Sequence, residues 1–273
     1  MVVSFIKFFF DFIVLRAPNY LSLILINLRS FYHLKKKVFY YDYVLKKFYI
    51  INNLDQRFYI AEKKRLNLYV RGFIERINIL KNDYILNEII FNDDDIILDC
   101  GANIGEFYFC FQNKVQYYGF EPGLNEFYCL KKNILNNSNL YNYGLWFEFN
   151  ELKFYVNSED ADSSFVKTNN YHHIRKVKVK RLDSLFNKKL NIKLFKLEAE
   201  GCELEVLKGT ENILKNIQYV SADLGYERGI NLESTYESVK SYLLDRNFEI
   251  IKINKKRLVC LFKNNSYKDI SKD

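Results

Sequence analysis

Asp99 stands at the end of an apolar run, Ile96-Ile97-Leu98, and a turn of small residues follows at once: Cys100-Gly101-Ala102-Asn103-Ile104-Gly105. Further on, a second run from Gln116 to Phe120 ends in Glu121. A carboxylate in that place can accept hydrogen bonds from ribose hydroxyls, and glycines let the backbone approach a ligand closely. The third glycine of the dinucleotide fingerprint is absent. The pattern therefore favours an adenosyl ligand without a pyrophosphate. A second constellation lies downstream, where Lys196, Glu198 and Glu200 alternate at the end of an apolar segment and Asp223 ends the next one. Alternation would put the first three on one face. Both faces of a central parallel strand are normally covered, so burying this row is costly unless its charges pair or serve a ligand.

These groups need a strand–turn–helix framework to meet, and the chain supplies one. Strands are expected at Ile96–Asp99, Gln116–Phe120, Leu140–Phe147, Leu194–Leu197 and Tyr219–Leu224. Helices are expected between them, near Glu106–Asn113, Leu124–Leu135, Leu204–Leu214 and Glu233–Asp245, and in the third Leu204, Leu207 and Ile213/Leu214 recur at helical spacing. The polar stretch from Asn150 to Lys180 contains two extended pieces, Leu152–Val156 and Val177–Lys180. The last pair of strands, Phe248–Ile253 and Arg257–Phe262, has a link so short that it must be antiparallel. Alternating βα units followed by such a hairpin predict an α/β fold, a doubly wound, mostly parallel seven-stranded sheet with one reversed strand. Ahead of it, Phe48–Ile60 reads as a β-hairpin turning near Asn52–Asp55, and Arg65–Leu86 as mostly helical. The expected organisation is an extension over 1–90, a ligand-binding domain over 91–265 and a basic polar tail over 266–273.

Composition narrows the classes. Of 273 residues, 49% are hydrophobic and 17% aromatic, which marks a globular chain with a sizeable core. The richness in Lys, Asn, Ile, Phe and Tyr reads as the codon bias of an AT-rich genome. The net charge of +8 suggests an anionic partner such as a membrane surface, a nucleic acid or an acidic glycan, set against plain solvated surface. Five scattered cysteines without a C-x-x-C pair read as buried thiols in a reducing compartment, and with only three histidines no zinc site or other metal is expected. Phe5 to Arg16 is apolar but interrupted by three charges, and Ala17 to Leu28 is uncharged for only twelve residues and holds Pro18. A spanning helix needs ~20 apolar residues, so neither stretch spans a membrane. Three readings stand: interfacial helices flanked by Lys35-Lys36-Lys37, a helical extension packed on the domain, or a dimer contact. The expected location is the cytoplasm, with peripheral attachment to the inner face of the membrane.

From about Arg65 to Lys252 the chain resembles the FkbM-type family of S-adenosylmethionine-dependent methyltransferases. The resemblance rests on D-C-G-A-N-I-G (Asp99–Gly105), F-E-P (Phe120–Pro122), N-Y-G-L (Asn142–Leu145) and S-S-F (Ser163–Phe165). It continues through R-L-D-S-L (Arg181–Leu185), K-L-E-A-E-G-C-E-L-E-V-L-K-G (Lys196–Gly209) and D-L-G-Y-E-R-G (Asp223–Gly229). The first two are common to many methyltransferases, whereas the long Lys196–Gly209 block is far more specific. Glu198 departs from the family's usual Asp. The resemblance implies a class I methyltransferase fold acting on a hydroxyl of a sugar, a surface-glycan precursor or a polyketide. It assigns Asp99, Gly101, Ala102, Asn103 and Gly105 to the methionine half of S-adenosylmethionine, Glu121 to the ribose, and Pro122, Asn142 and Gly144 to the adenine side.

Methyl transfer to an alcohol requires an aligned acceptor oxygen and a group that removes its proton. The candidates are Asp223 or Glu198 as base, Lys196 tuning the pKa, and Glu200 in the same row, against a purely supporting charge network. His172 and His173 are rival bases. Two other classes compete with this reading. A nucleic-acid methyltransferase lacks support, because there is no N-P-P-Y-type or P-C motif and no distinct aromatic–basic stripe. A non-catalytic cofactor-binding or membrane-docking subunit would have lost the carboxylates that this chain keeps.

Overall fold

A computed structural model describes residues 12–112, 114–137, 139–157, 162–186 and 190–268. The apolar run from Phe5 to Asp11 and the end of the basic tail lie outside them. The described chain opens with a helical stretch at 12–16 and helix α1 (Asn19–Leu34). Three short strands follow, β1 (Phe39–Asp42), β2 (Lys47–Ile51) and β3 (Arg57–Ile60), as one antiparallel sheet. The expected hairpin is β2–β3, and β1 adds a strand that the weak alternation there did not reveal. The segment read as one helix is three pieces: a 3-10 turn at Lys63–Tyr69, helix α2 (Phe73–Asp83) and a 3-10 turn at Leu86–Glu88. Gly72, at φ +89°, breaks it.

The central sheet is built from β4 (Ile96–Cys100), β5 (Gln116–Phe120), β6 (Leu140–Tyr141), β10 (Ile192–Leu197), β11 (Ile217–Asp223), β14 (Phe248–Asn254) and β15 (Val259–Asn264). Its order is β14-β15-β11-β10-β4-β5-β6, and β15 alone runs against its neighbours. Between these strands lie helix α3 (Leu124–Asn133), a side sheet of β7 (Gly144–Leu145), β8 (Asn150–Val156) and β9 (His173–Lys180), helix α4 (Glu203–Lys208), the small pair β12 (Tyr226–Arg228) and β13 (Glu233–Ser234), and helix α5 (Tyr236–Leu244). The long third strand expected at Leu140–Phe147 is split. Its first half pairs with β5, and its second half leaves to join β9. The helix expected from Glu106 is a 3-10 turn ending at Cys110, and the helix expected to reach Leu214 stops at Lys208, where Gly209 fits against the Trp146 carbonyl.

Alternating strand residues serve two cores. Ile97, Leu194 and Leu261 face a cluster with Phe39, Phe58 and Phe73 of the extension, while Leu98, Phe195 and Phe262 face one with Val206, Val239 and Leu243. Residues 12–90 thus cover one face of the sheet as helices α4 and α5 cover the other. Asn133 ties β3 to the small-residue turn. Its amide accepts from the Tyr59 N–H at 2.6 Å and donates to the Tyr59 and Ile104 carbonyls at 2.9 and 2.8 Å.

Candidate active site

Parallel pairing of β10 with β4 sets Lys196 beside Asp99, and pairing of β4 with β5 sets Asp99 beside Gly119. All three stand at the carboxyl edge of the sheet, where α/β folds bind ligands. Lys196 lies 3.0 Å from Asp99 Oδ1 and 2.8 Å from Glu198 Oε2, and its ammonium also donates to the Cys100 and Gly101 carbonyls. The Tyr117 hydroxyl donates to the other Asp99 oxygen. Burial pushes the Lys196 pKa down, but Asp99 and Glu198 outweigh it and hold it above its usual value. Lys196 is a fixed cation bracing the turn from beneath.

The turn itself needs left-handed backbone. Gly101 and Gly105 have φ of +73° and +90°, and a side chain on Gly101 would fall on the Glu198 carbonyl oxygen. The Phe120 carbonyl accepts from the N–H groups of Gly101 and Ala102, both at 3.0 Å. Glu121 then closes the crevice. Its two oxygens accept from the Asn103 N–H at 2.8 Å and the Gly123 N–H at 2.6 Å. Burial, and next the nearby Glu126, raise its pKa to about 8.

These residues line a cavity of about 270 Å³, near the lower end of the ~300–1,000 Å³ usual for small-molecule sites. Asp99, Gly101, Ala102, Asn103, Glu121 and Pro122 are on its wall, as are Gly144, Lys196, Glu198 and Glu200. Gly105 sits behind, against Leu130 and Ile134. Asn142 is also off the wall. It supports the wall instead, donating to the Glu121 carbonyl at 2.9 Å and the Pro122 carbonyl at 3.3 Å.

The acid row is not the simple face that alternation suggested. Strand β10 ends at Leu197, and Glu200 enters the cavity from a left-handed turn, at φ 49°. Burial favours neutral Glu198, yet Lys196 and Arg257 (3.1 Å) dominate and hold its pKa down at about 2, which makes it a poor base. Asp223 does not reach the cavity: it is buried behind Arg257 and ion-paired to it. His172 and His173 are exposed at the start of β9, away from the wall. Glu227, on β12, is on the wall. No described residue hydrogen-bonds or ion-pairs with the carboxylates of Glu200 or Glu227. Burial, then Asp223 and Glu198, raise Glu227 to about 8, and burial with Glu227 beside it raises Glu200 as well.

Sequence reading missed the cationic wall. Arg65 and Arg76 line the cavity and converge on Glu106, at 3.2 and 2.7 Å, with the Tyr69 hydroxyl at 2.5 Å. Burial opposes ionisation of Glu106, but Arg76 and Arg65 bring it to about 2. An acid directly after the turn's last glycine was the available signal. Arg257 arrives because reversed β15 begins beside the end of β11, Val259 opposite Asp223. Its preceding turn must therefore lie at the carboxyl edge.

Strand order, the single reversed strand next to the edge and the crevice define a class I methyltransferase fold. The chain belongs to the FkbM methyltransferase family, whose domain profile, the methyltransferase FkbM domain, matches residues 99–250. No curated protein matches it. Similar solved structures include the methyltransferase FkbM of Methylobacillus flagellatus, 16% identical, covering 74% of this chain and 54% of that one with a TM-score of 0.46. This chain thus spans about half the length of that protein. An rRNA methylase of Streptococcus thermophilus is 13% identical, covering 68% and 96% with a TM-score of 0.39. The N-terminal domain of human METTL16 is 12% identical, covering 93% and 95% with a TM-score of 0.42.

Proposed function

We propose that this methyltransferase uses S-adenosylmethionine to methylate a hydroxyl of a sugar or surface-glycan precursor. The observation that carries the reading is the division of the cavity's acids. Glu121 stands beside the small-residue turn, while the carboxylates of Glu200, in the turn after β10, and Glu227, on β12, have no partner among the described residues. The cofactor fits this donor set. Glu121 would take the ribose hydroxyls and Pro122 would flank the adenine. The turn around Gly101 and Asn103 would hold the methionine half. Bound there, the cofactor supplies an electrophilic methyl group on a sulfonium.

The chain's own residues then have to orient an alcohol and take its proton. Glu227 is suited to the second task, because a carboxylate raised to about 8 is a stronger base than one held at about 2. Glu200 and Glu227 on the wall offer acceptors to neighbouring sugar hydroxyls, which supports a polyol. Lys196 and Arg257 hold Glu198 charged, and Asp223, raised by burial to about 6, is ion-paired to Arg257 behind the wall, which leaves proton transfer to Glu227.

The test uses calorimetry and a labelled methyl group. The chain is expected to bind S-adenosylmethionine and not NAD, and to move label into glycan extracted from cells that lack the protein. Binding of NAD would overturn the cofactor, and label entering only nucleic acid would overturn the acceptor.

A further inference from the structure

Helix α1 is apolar on both sides. It buries Ser22, Ile26 and Ser30, four residues apart, packs Leu23 and Leu34 on the core, and leaves a second set of large apolar side chains outside. Tyr20 (65% exposed), Ile24 (53%), Leu28 (62%) and Phe31 (54%) follow one another at three- or four-residue steps, a single stripe along the solvent side. Tyr32 extends it at one end. At the other, Asn19 bonds to the Tyr41 hydroxyl at 2.7 Å, and Tyr41 packs on Tyr43 of the β1–β2 turn, where Tyr43 and Val44 are also exposed. The inner face already has its own apolar contacts through Leu23, Ile26 and Leu34, so packing on the domain does not account for the outer stripe. Something other than water must meet the stripe.

Charge identifies it. Residues 12–41 contain no acid and carry Arg16, Arg29, Lys35, Lys36 and Lys37. Arg16 and the three lysines are exposed at the two ends of the stripe. A two-fold pairing of α1 with a second copy would bring these cations against one another with no acid from this segment to offset them. An anionic bilayer offers both an apolar interior for the stripe and phosphates for its ends. No helix among the described residues is long and apolar enough to cross a membrane.

We infer that the exposed face of α1, with the Tyr43–Val44 tip, docks parallel to the surface of a membrane containing anionic phospholipid. The docked element is continuous with the cavity wall. Lys63 donates to the Ala17 carbonyl at 2.6 Å, and Arg65 two residues later lines the cavity.

The experiment is co-sedimentation of the full chain with phosphatidylcholine vesicles, with and without phosphatidylglycerol. The chain should pellet with the mixed vesicles, remain mostly in solution with pure phosphatidylcholine, and be released at high salt. Ile24→Asp combined with Leu28→Asp should weaken partitioning ~10-fold or more, since each removes a buried aliphatic chain from lipid. Replacing Lys35, Lys36 and Lys37 together by Glu should abolish the preference for phosphatidylglycerol. All five positions face solvent, so an unchanged melting curve verifies that the variants fold. A wild-type chain that stays in solution with both vesicles overturns the inference, as does an Asp variant that binds as tightly as wild type. A dimer seen by light scattering, broken by Ile24→Asp and accompanied by no vesicle binding, overturns it too and assigns the face to a second copy.

Discussion

At the scale of the residue, Glu121, Glu200 and Glu227 share a cavity with fixed cations yet are kept from ordinary ionisation. Glu121 titrates near 8 in the free protein. Ribose hydroxyls donate to its ionised form, so cofactor binding should lower that pKa and expel a proton at pH 7. Affinity is therefore expected to rise with pH up to about 8 and level off above it. Calorimetry in buffers of different ionisation heat measures the release. Glu121→Gln should remove the pH dependence and cost about 1–3 kcal/mol of binding. A buffer-independent enthalpy for the wild type would take Glu121 out of the site. Glu227 is active as base only when deprotonated, so methyl transfer should fall as pH drops below about 8. Glu227→Gln should slow transfer roughly 10²–10⁴-fold, flatten that pH limb and leave cofactor affinity nearly intact. Full turnover in that variant, measured on the glycan extract, would move the base to Glu200.

At the scale of the element, the site depends on how a turn is held. Gly101 and Gly105 make the turn, but Asn133 on α3 fastens it to β3 through three hydrogen bonds while itself only 2% exposed. Asn133→Ala leaves two carbonyls and an N–H buried without partners, and should cost about 2–4 kcal/mol in urea unfolding. Because the Ile104 carbonyl belongs to the turn, cofactor affinity should fall along with stability. A stability loss under about 0.5 kcal/mol would mean that water or a neighbour replaces the amide. The turn motif was legible because glycines and an acid at fixed spacing are local. The amide's role was not, since Asn133 lies far along the chain from Tyr59.

At the scale of the whole molecule, the extension and the sheet bury one another. Phe39, Phe58 and Phe73 belong to the same cluster as Ile97 and Leu194. Unfolding should therefore be a single transition, with near-ultraviolet and far-ultraviolet dichroism melting together. A chain lacking residues 1–60 should expose the sheet's aliphatic face and bind a hydrophobic dye. Two separated transitions, or a soluble, dye-silent truncated chain, would mean that the extension is an independent unit.

Periodicity and punctuation are local properties, and they carried the order of strands along the chain, the reversed strand, the small-residue turn and the place of Glu121 at the end of β5. Each of these depends on residues within about one βα unit, where spacing and residue type limit the geometry. The partners of the acids depend instead on sheet register and on which segments cross the carboxyl edge. Lys196 meets Asp99 only through the pairing of β10 with β4, and Arg257 reaches Asp223 only because β15 is reversed. Asp223 and Glu198 have the residue type of a base, but neighbouring cations pair with both and Asp223 stands behind the wall. The proposed base, Glu227, owes its raised pKa first to burial, which only the packing sets. The outward face of α1 was equally hidden. Its apolar residues read the same in sequence whether they face a core or solvent, and only the packing of Ser22, Ile26 and Ser30 against the protein decides which side is left outside.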